Sequence, residues 1–137
     1  MRAAANALEV PWCARVRVVI ALPHTRLREA VSTALHSTPA ILVVAQTVDV
    51  GRTIESARAT RPDVVLLGTS LLTGDVAEGV AEIARALDGI PLVMAGHEDS
   101  VAYVTAVMAA GAAAYVPLQG DADALAQVLR CAAAMHL

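Results

Sequence analysis

The stretch that decides the fold is Arg61-Pro62-Asp63-Val64-Val65-Leu66-Leu67-Gly68-Thr69-Ser70. Its apolar run, residues 64–67, is short and unbroken, which is typical of a strand buried on both faces of a parallel sheet. The run passes through Gly68 into a polar loop. Open parallel α/β sheets bind their ligands at the carboxyl ends of the strands. The stretch therefore predicts an α/β fold and marks Gly68 as a strand exit that faces any functional site.

Short apolar runs and helical periodicity alternate along the rest of the chain. The predicted strands occupy residues 16–21, 41–45, 64–67, 91–95 and 113–116. Thr25, Asp49, Asp75 and Asp121 are predicted helix N-caps, and a further helix is predicted over residues 100–110. Strict alternation indicates βαβ units with right-handed crossovers. The prediction is an α/β, flavodoxin-like five-stranded parallel sheet of strand order 2-1-3-4-5 with five helices.

The composition limits the possible functions. The chain has 137 residues, which suits one domain, and 57% of them are hydrophobic although Phe is absent. All ten basic residues are arginine, so chemistry that requires a lysine ammonium is excluded. The net charge of -3 argues against a nucleic-acid surface, because such surfaces need clustered positive charge. We therefore expect no direct nucleic-acid binding by this chain.

The first residues do not have the pattern of the main domain. Residues 1–14 are predicted to be a flexible N-terminal extension, and residues 15–137 the folded domain. Glu9 and Pro11 interrupt any apolar core that a signal peptide would need. Cys13 and Cys131 are far apart and form no CxxC motif, which favours a reducing, cytoplasmic location. Cys131 is expected to be a small apolar residue of the core or of an interface.

One uncharged segment has the length of a membrane span. It covers residues 100–120, but it is rich in alanine and is interrupted by Gly111 and Pro117. A helix, a glycine and a short strand explain the pattern better than a membrane span. We therefore expect no membrane partner.

Four motifs together resemble a known family. They are Val16-Arg17-Val18-Val19-Ile20, His24-Thr25-Arg26-Leu27-Arg28-Glu29-Ala30-Val31, Arg61-Pro62-Asp63-Val64-Val65-Leu66-Leu67 and Ala110-Gly111-Ala112-Ala113-Ala114-Tyr115-Val116. The chain resembles the receiver domains of bacterial two-component response regulators, and most of all the NarL/LuxR-type subfamily. The resemblance implies a receiver-like domain in phosphorelay signal transduction. It also implies that Tyr115 is the switch aromatic of the fifth strand.

The chain departs from the family at every residue that handles the phosphoryl group. The resemblance implies a pair of Mg²⁺-binding acids where the chain has Leu22 and Pro23, and a phosphoryl-accepting aspartate where it has Gly68. It implies a threonine or serine at Gly96 and a lysine at Leu118. We therefore expect a degenerate site with no catalytic residue, metal or cofactor. We also expect that the protein is not an enzyme. Thr69 and Ser70 carry hydroxyls near Gly68, but we expect no base beside them to activate either one.

Two other hypotheses concern the strand ends. His24 and His97 are both expected on the carboxyl-end face, but two ligands without a third make a weak metal site. An apolar pocket is the second hypothesis, and it would make the domain a small-molecule-binding sensor. Its predicted lining is Leu22, Pro23, Thr69, Gly96 and Leu118.

The helix predicted over residues 100–110 is apolar around nearly its whole circumference, whereas a surface helix normally has a polar outer face. This indicates a covered helix and predicts a homodimer. The predicted interface residues are Val101, Val104, Thr105 and Met108. One assignment of the two sides directs Val104 and Met108 at the partner. It directs Val101, Ala102 and the turn around Ala106 at the sheet.

The sequence is thus interpreted as a pseudo-receiver that acts by protein–protein contact without aspartyl phosphorylation. It fits the sensory half of a transcription regulator whose DNA-binding half would be encoded beyond Leu137. The alternative function is the small-molecule sensor. An enzyme is disfavoured, since no nucleophile–base pair, phosphate loop or metal cluster is visible in the sequence.

Overall fold

A computed structural model describes residues 15–38, 40–98, 100–118 and 122–135. The predicted extension over residues 1–14, Cys13 and the predicted cap Asp121 lie outside the described residues. In the described part of the chain, no helix is long and apolar enough to cross a membrane.

Five parallel strands form one sheet, and their spatial order is β2-β1-β3-β4-β5. The strands are β1 (Val16–Ala21), β2 (Ile41–Thr47), β3 (Val64–Gly68), β4 (Leu92–Gly96) and β5 (Ala114–Pro117). The helices are α1 (Thr25–His36), α2 (Val50–Thr60), α3 (Val76–Leu87), α4 (Val101–Ala109) and α5 (Ala122–Met135). A single 3-10 turn, Thr69–Leu71, follows β3. The predicted architecture and strand order are confirmed.

The core has two layers, one on each face of the sheet. Val64 and Leu66 of β3 face the layer that includes Leu129 of α5, while Val65 and Leu67 face the layer that includes Ile83 of α3. This alternation follows from the two-residue period of a strand. All of β3 is buried, so its unbroken apolar run is explained by helices on both faces of the sheet.

Among the described residues, side chains cap the start of three helices. The carboxylate of Asp49 accepts a hydrogen bond from the Arg52 backbone N–H at 2.8 Å, and that of Asp75 accepts from the backbone N–H of Ala77 at 3.0 Å. Ser100 caps α4 in the same way. The prediction that Thr25 caps α1 is wrong. Thr25 is the first helical residue, and His24 occupies the cap position without a side-chain hydrogen bond.

Arg17 fixes the turn that leads into β3. Its Nη1 donates to the carbonyl oxygens of Thr60 at 2.7 Å and of Arg61 at 2.8 Å, at the carboxyl end of α2. Its backbone N–H donates to the carboxylate of Asp63 at 2.9 Å. A guanidinium suits this place because it satisfies carbonyl groups that the helix leaves without partners. These bonds join the start of β3 to β1.

Candidate functional site

The carboxyl ends of β1, β3, β4 and β5 meet at one edge of the sheet, as the sequence predicts. A cavity of about 80 Å³ lies there. Its lining includes all five residues of the predicted pocket and both predicted histidines: Leu22, Pro23, Thr69, Gly96, Leu118, His24 and His97. The residues that sequence reasoning assigned to this edge are therefore brought together by the fold.

Leu22 fills the space at the end of β3. Its side chain is fully buried, at 0% exposure. A Cβ atom built on Gly68 would lie only 2.9 Å from Cδ2 of Leu22, and 3.7 Å from Cδ of Pro23. Side chains do not normally approach so closely, so Leu22 occupies the volume that any side chain at position 68 would enter. The space at the end of β3 is therefore filled by an apolar side chain.

Arg28, in the first turns of α1, holds the loop that carries Leu22. Its Nη1 donates a hydrogen bond to the backbone oxygen of Leu22 at 2.8 Å. The loop between β1 and α1 is thereby tied to the helix that follows it. Sequence reasoning missed this bond, because the contact of a long side chain with a backbone carbonyl leaves no pattern in the sequence.

Gly96 allows two hydroxyl groups to close over the end of β4. A Cβ atom at this position would lie 2.5 Å from Oγ1 of Thr69 and 2.8 Å from the hydroxyl of Tyr115. Any other residue would push at least one of these groups away. The sequence marked Gly96 as a departure from the family, but it did not reveal which neighbours use the space.

Tyr115 connects the strand ends to the loop before α4. Its hydroxyl donates to the backbone oxygen of Glu98 at 2.7 Å. Its ring meets that of Tyr103 edge to face, with centroids 6.0 Å apart and planes at 76°. Such aromatic pairs are stabilising beyond the area they bury. The residue predicted as the switch aromatic thus contacts both the β4 exit and α4.

The chemical groups of the cavity are few. No carboxylate lines it among the residues that the structure describes. The expectation that no base activates Thr69 or Ser70 stays a prediction, although His24 and His97 line the same cavity as these two hydroxyls. Both histidines are exposed, and within the described ranges neither makes a hydrogen bond to a hydroxyl there. No cluster of three or more possible metal ligands occurs among the described residues.

The size of the cavity bears on the sensor hypothesis. Pockets for drug-sized ligands have volumes of about 300 Å³ or more. The cavity at the strand ends, at about 80 Å³, accommodates only a molecule of a few heavy atoms unless side chains move.

The helix α4 carries an apolar surface that the described domain does not cover. Val101 is 81% exposed and Met108 is 40% exposed, whereas Val107 is 1% exposed. Thr105 is exposed and Val104 is half-buried, so the four predicted interface residues all reach the surface in part.

The sides assigned to α4 from the sequence require a correction. Val101, Ala102 and Ala106 do not face the sheet, since all three are exposed. Val107 faces the core instead, and Tyr103 packs beside it. An all-apolar helix carries no periodicity from which its inward side can be read.

Cys131 lies on the exposed side of α5. It is therefore not a core residue, and of the two roles expected for it only that of an interface residue stays open.

Comparison with known proteins places this geometry among signalling domains. No family model matches the chain. Over 86% of its length it superposes on the receiver domain of the putative response regulator NarL from Mycobacterium tuberculosis, with a TM-score of 0.76, 28% identity and 96% of that chain covered. The fold is that of a response-regulator receiver domain.

Two further proteins are similar to this domain, one in fold and one in sequence. A LuxR-family response regulator from Aurantimonas sp. SI85-9A1 has a TM-score of 0.79 and 23% identity, over 88% of this chain and 86% of that one. The transcriptional regulatory protein DegU of Brevibacillus brevis is 27% identical over 119 residues, or 87% of this chain. The chain spans about half the length of that curated relative, 50%.

Proposed function

We propose that the chain is an atypical receiver module that acts in signal transduction by protein–protein contact, without aspartyl phosphorylation. The observation that carries the proposal is the buried side chain of Leu22, which fills the space beside Gly68 at the end of β3. Receiver-fold relatives in signalling proteins support the first half of the proposal. The chemistry of the strand ends supports the second half.

Phosphoryl transfer to a carboxylate needs a nucleophile and a cation that neutralises the transferred group. Mg²⁺ is held by oxygen ligands, usually one or two carboxylates together with water. The residues at the expected positions, Leu22, Pro23 and Gly68, offer no side-chain oxygen. Leu118, at the end of β5, offers no positive charge. Each of the required groups is thus replaced by an apolar side chain or by none.

The direct test is incubation of the chain with acetyl phosphate and Mg²⁺, followed by intact-mass analysis. We expect no gain of a phosphoryl group, while a phosphate-accepting receiver domain treated in parallel should be labelled. A stoichiometric gain by the chain that depends on Mg²⁺ would contradict the proposal. Peptide mapping would then locate the group, with Thr69 and Ser70 as the first positions to examine.

The variant Gly68→Asp sharpens this test. It restores a carboxylate at the end of β3 but no cation site at Leu22 and Pro23, so we expect no labelling by acetyl phosphate. We also expect a loss of about 3 kcal/mol in unfolding free energy at pH 7, because a buried, unpaired carboxylate is costly to ionise. Burial raises the pKa of such a group above its unfolded value, so the loss should shrink as the pH falls from 7 towards about 4 and change little below that. Efficient labelling of this variant would show that the cation site is intact.

We propose that the module forms a homodimer through α4, together with β5 and α5. Val101 and Met108 expose apolar surface on a helix that has no charged residue. Burial of apolar surface is worth roughly 25 cal/mol per Å² before the cost of association, and a stable interface buries about 1,200 Å² or more in total. A second copy of the chain offers the same uncharged face, which suits a two-fold contact.

Sedimentation at high micromolar concentration tests the dimer. Val101→Glu combined with Met108→Lys should yield monomers that remain folded, since both side chains are exposed. The matched control is Ala30→Glu combined with Thr33→Lys on the exposed side of α1, which should leave the dimer intact. A wild-type monomer at that concentration would contradict the dimer, without bearing on the absence of phosphorylation.

We propose that Tyr115 couples the strand ends to this α4 surface. Its hydroxyl bond to Glu98 and its contact with Tyr103 reach both sides of the loop between β4 and α4. Tyr115→Phe keeps the ring and removes the hydroxyl. We expect a two- to tenfold weaker dimer, since one hydrogen bond is worth about 0.5–1.5 kcal/mol. An unchanged dimer affinity would limit Tyr115 to a packing role.

We propose that the module is part of a longer transcription regulator. The support is that the relative named as a transcriptional regulatory protein is about twice as long as the matched region. The reading frame beyond Leu137 decides this. A helix-turn-helix domain there supports the proposal, and an immediate stop codon or an unrelated domain contradicts it.

A further inference from the structure

A second cleft lies at the opposite end of the sheet, where α2 and α3 end and the chain enters β3 and β4. Its volume is about 380 Å³, which falls in the range of small-molecule pockets. The lining residues that matter are Arg58, Arg61, Arg85, Asp88, Leu87 and Ile90. Three arginines therefore line one concave surface together with an apolar residue.

The charge of this cleft is opposite to that of the chain. Its three arginines and one aspartate give a net charge of +2, whereas the whole chain carries -3. Arg58, Arg61 and Arg85 form no ion pair or side-chain hydrogen bond within the described part of the chain, where the one ion pair joins Arg52 to Asp49. Three unpaired guanidinium groups in one cleft are a place of positive potential on an acidic protein.

The backbone of the cleft adopts an uncommon conformation on both sides. Arg61 has φ of 50° and Asp88 has φ of 51°, and these are the two non-glycine residues with positive φ among those described. Both end a helix at a position where glycine is the usual residue. Arg61 is fixed there by two hydrogen bonds, from its N–H to the oxygen of Ala57 and from Arg17 to its own oxygen. The backbone that carries the Arg61 side chain is thus fixed by hydrogen bonds on both of its polar groups.

Helix electrostatics explain these arginines only in part. A cation is stabilised near the carboxyl end of a helix, which accounts for Arg58 on α2 and for Arg85 on α3 taken singly. It does not require both helices to direct their cations at one shared cleft, or a third cation, Arg61, to join them. The fork of a guanidinium matches the oxygens of a phosphate group by paired hydrogen bonds.

We propose that this cleft binds a small anion that carries two or more phosphate groups, through Arg58, Arg61 and Arg85. Ile90, which is partly exposed, gives an apolar surface that a base or another flat group on the same anion would contact. The site is remote from the strand ends and does not depend on the function proposed for them. Binding of such an anion would then be a signal to which the receiver-like domain responds.

Inorganic tripolyphosphate is the first probe, with titration followed by calorimetry and by backbone amide shifts. We expect saturable binding with shifts grouped at the ends of α2 and α3, and weaker binding as salt is raised. Arg58→Gln and Arg85→Gln should each weaken binding at least tenfold. Arg130→Gln is the matched control, since Arg130 is exposed on α5 and does not line the cleft. It should bind as the wild type does.

The variant Arg61→Gly distinguishes the role of the Arg61 charge in binding from the role of its backbone conformation in folding. Glycine adopts positive φ readily, so this variant should fold at least as stably as the wild type and yet bind at least tenfold more weakly. Absence of saturable binding by the wild type would overturn the proposal. Equal weakening by Arg130→Gln and by the cleft variants would overturn it as well, because it would indicate a diffuse charge effect.

A nucleoside triphosphate, titrated without a divalent cation, distinguishes two sources of the phosphate chain. Affinity equal to that of tripolyphosphate means that the cleft recognises the phosphates alone. Tighter binding that Ile90→Ala reduces to the tripolyphosphate level means that the base also contacts Ile90. Both results support a polyphosphate site.

Discussion

Two apolar regions of this domain have opposite relations to solvent. At the strand ends, Leu22 is fully buried and fills the space beside Gly68. On α4, Val101 and Met108 stand exposed on a helix with no charge. The first region is apolar and satisfied within the domain, whereas the second is apolar and uncovered. Apolar residues are therefore found in two different situations in this domain. Only the neighbours of each side chain show whether it fills a space in the core or is left on an uncovered surface.

The largest effect is expected from truncating the side chain of Leu22. Leu22→Ala should lower the unfolding free energy by about 4 kcal/mol, because it deletes a fully buried side chain of the core cluster and leaves a void beside Gly68. Urea denaturation measures the loss. Val101→Ala, the matched truncation on the uncovered helix, should change stability by less than about 0.5 kcal/mol.

The same experiment carries an internal check. Gly68→Ala alone should destabilise, since its Cβ would lie 2.9 Å from Leu22. In the Leu22→Ala background the same change should be nearly free of cost, and this non-additivity measures the contact. Additive losses would show that Leu22 does not occupy the space next to Gly68.

A smaller effect is expected at the end of β4. Gly96→Ala should cost about 2 kcal/mol, because the new Cβ would collide with Thr69 and Tyr115. Thr69→Ala should recover part of that loss by removing the closer of the two hydroxyls. Thermal or urea unfolding of the single and double variants provides the comparison.

Gly51→Ala is the control for glycine replacement as such. Gly51 lies in α2, and its nearest contact to an added Cβ is an ordinary 3.5 Å, to Asp49. Alanine should therefore stabilise the protein by about 0.5–1 kcal/mol through helix propensity. A Gly96→Ala variant as stable as Gly51→Ala would show that the hydroxyls around Gly96 move aside freely.

The last comparison is between the two sides of α4. Val107→Ala should cost about 2 kcal/mol, from the loss of two buried carbon groups in the core. Met108→Ala, one residue further along, should cost less than about 0.5 kcal/mol in the monomer, because its side chain is partly exposed. Equal losses at the two positions would mean that α4 is rotated from the orientation described.

The architecture could be predicted from the sequence because the apolar runs of the strands and the helical spacing of apolar residues are both clear. The unbroken run of β3 and the capping residues Asp49 and Asp75 are local signals, and the structure has the predicted elements at those places. The meeting of Leu22 and Leu118 at one edge follows from the strand order alone. What depends on topology was therefore predictable.

Contacts that depend on side-chain reach were not predictable. The bond from Arg28 to Leu22 and the closure of Tyr115 over Gly96 join residues whose relation has no sequence period. The inward side of α4 was assigned wrongly because Val101 and Val107 are equally apolar. Periodicity locates a buried face only where polar residues mark the other one.

The close fit of Leu22 to Gly68 also limits how this domain can change over generations. A larger residue at position 68 meets the leucine, and a smaller residue at position 22 leaves a void. A variant with an acidic residue at only one of these two positions is therefore expected to be less stable than the present protein. The residue tolerated at each of these two positions therefore depends on the residue at the other. Charged side chains at these strand ends are therefore compatible with a stable fold only if both residues change together, or if stability is first gained elsewhere.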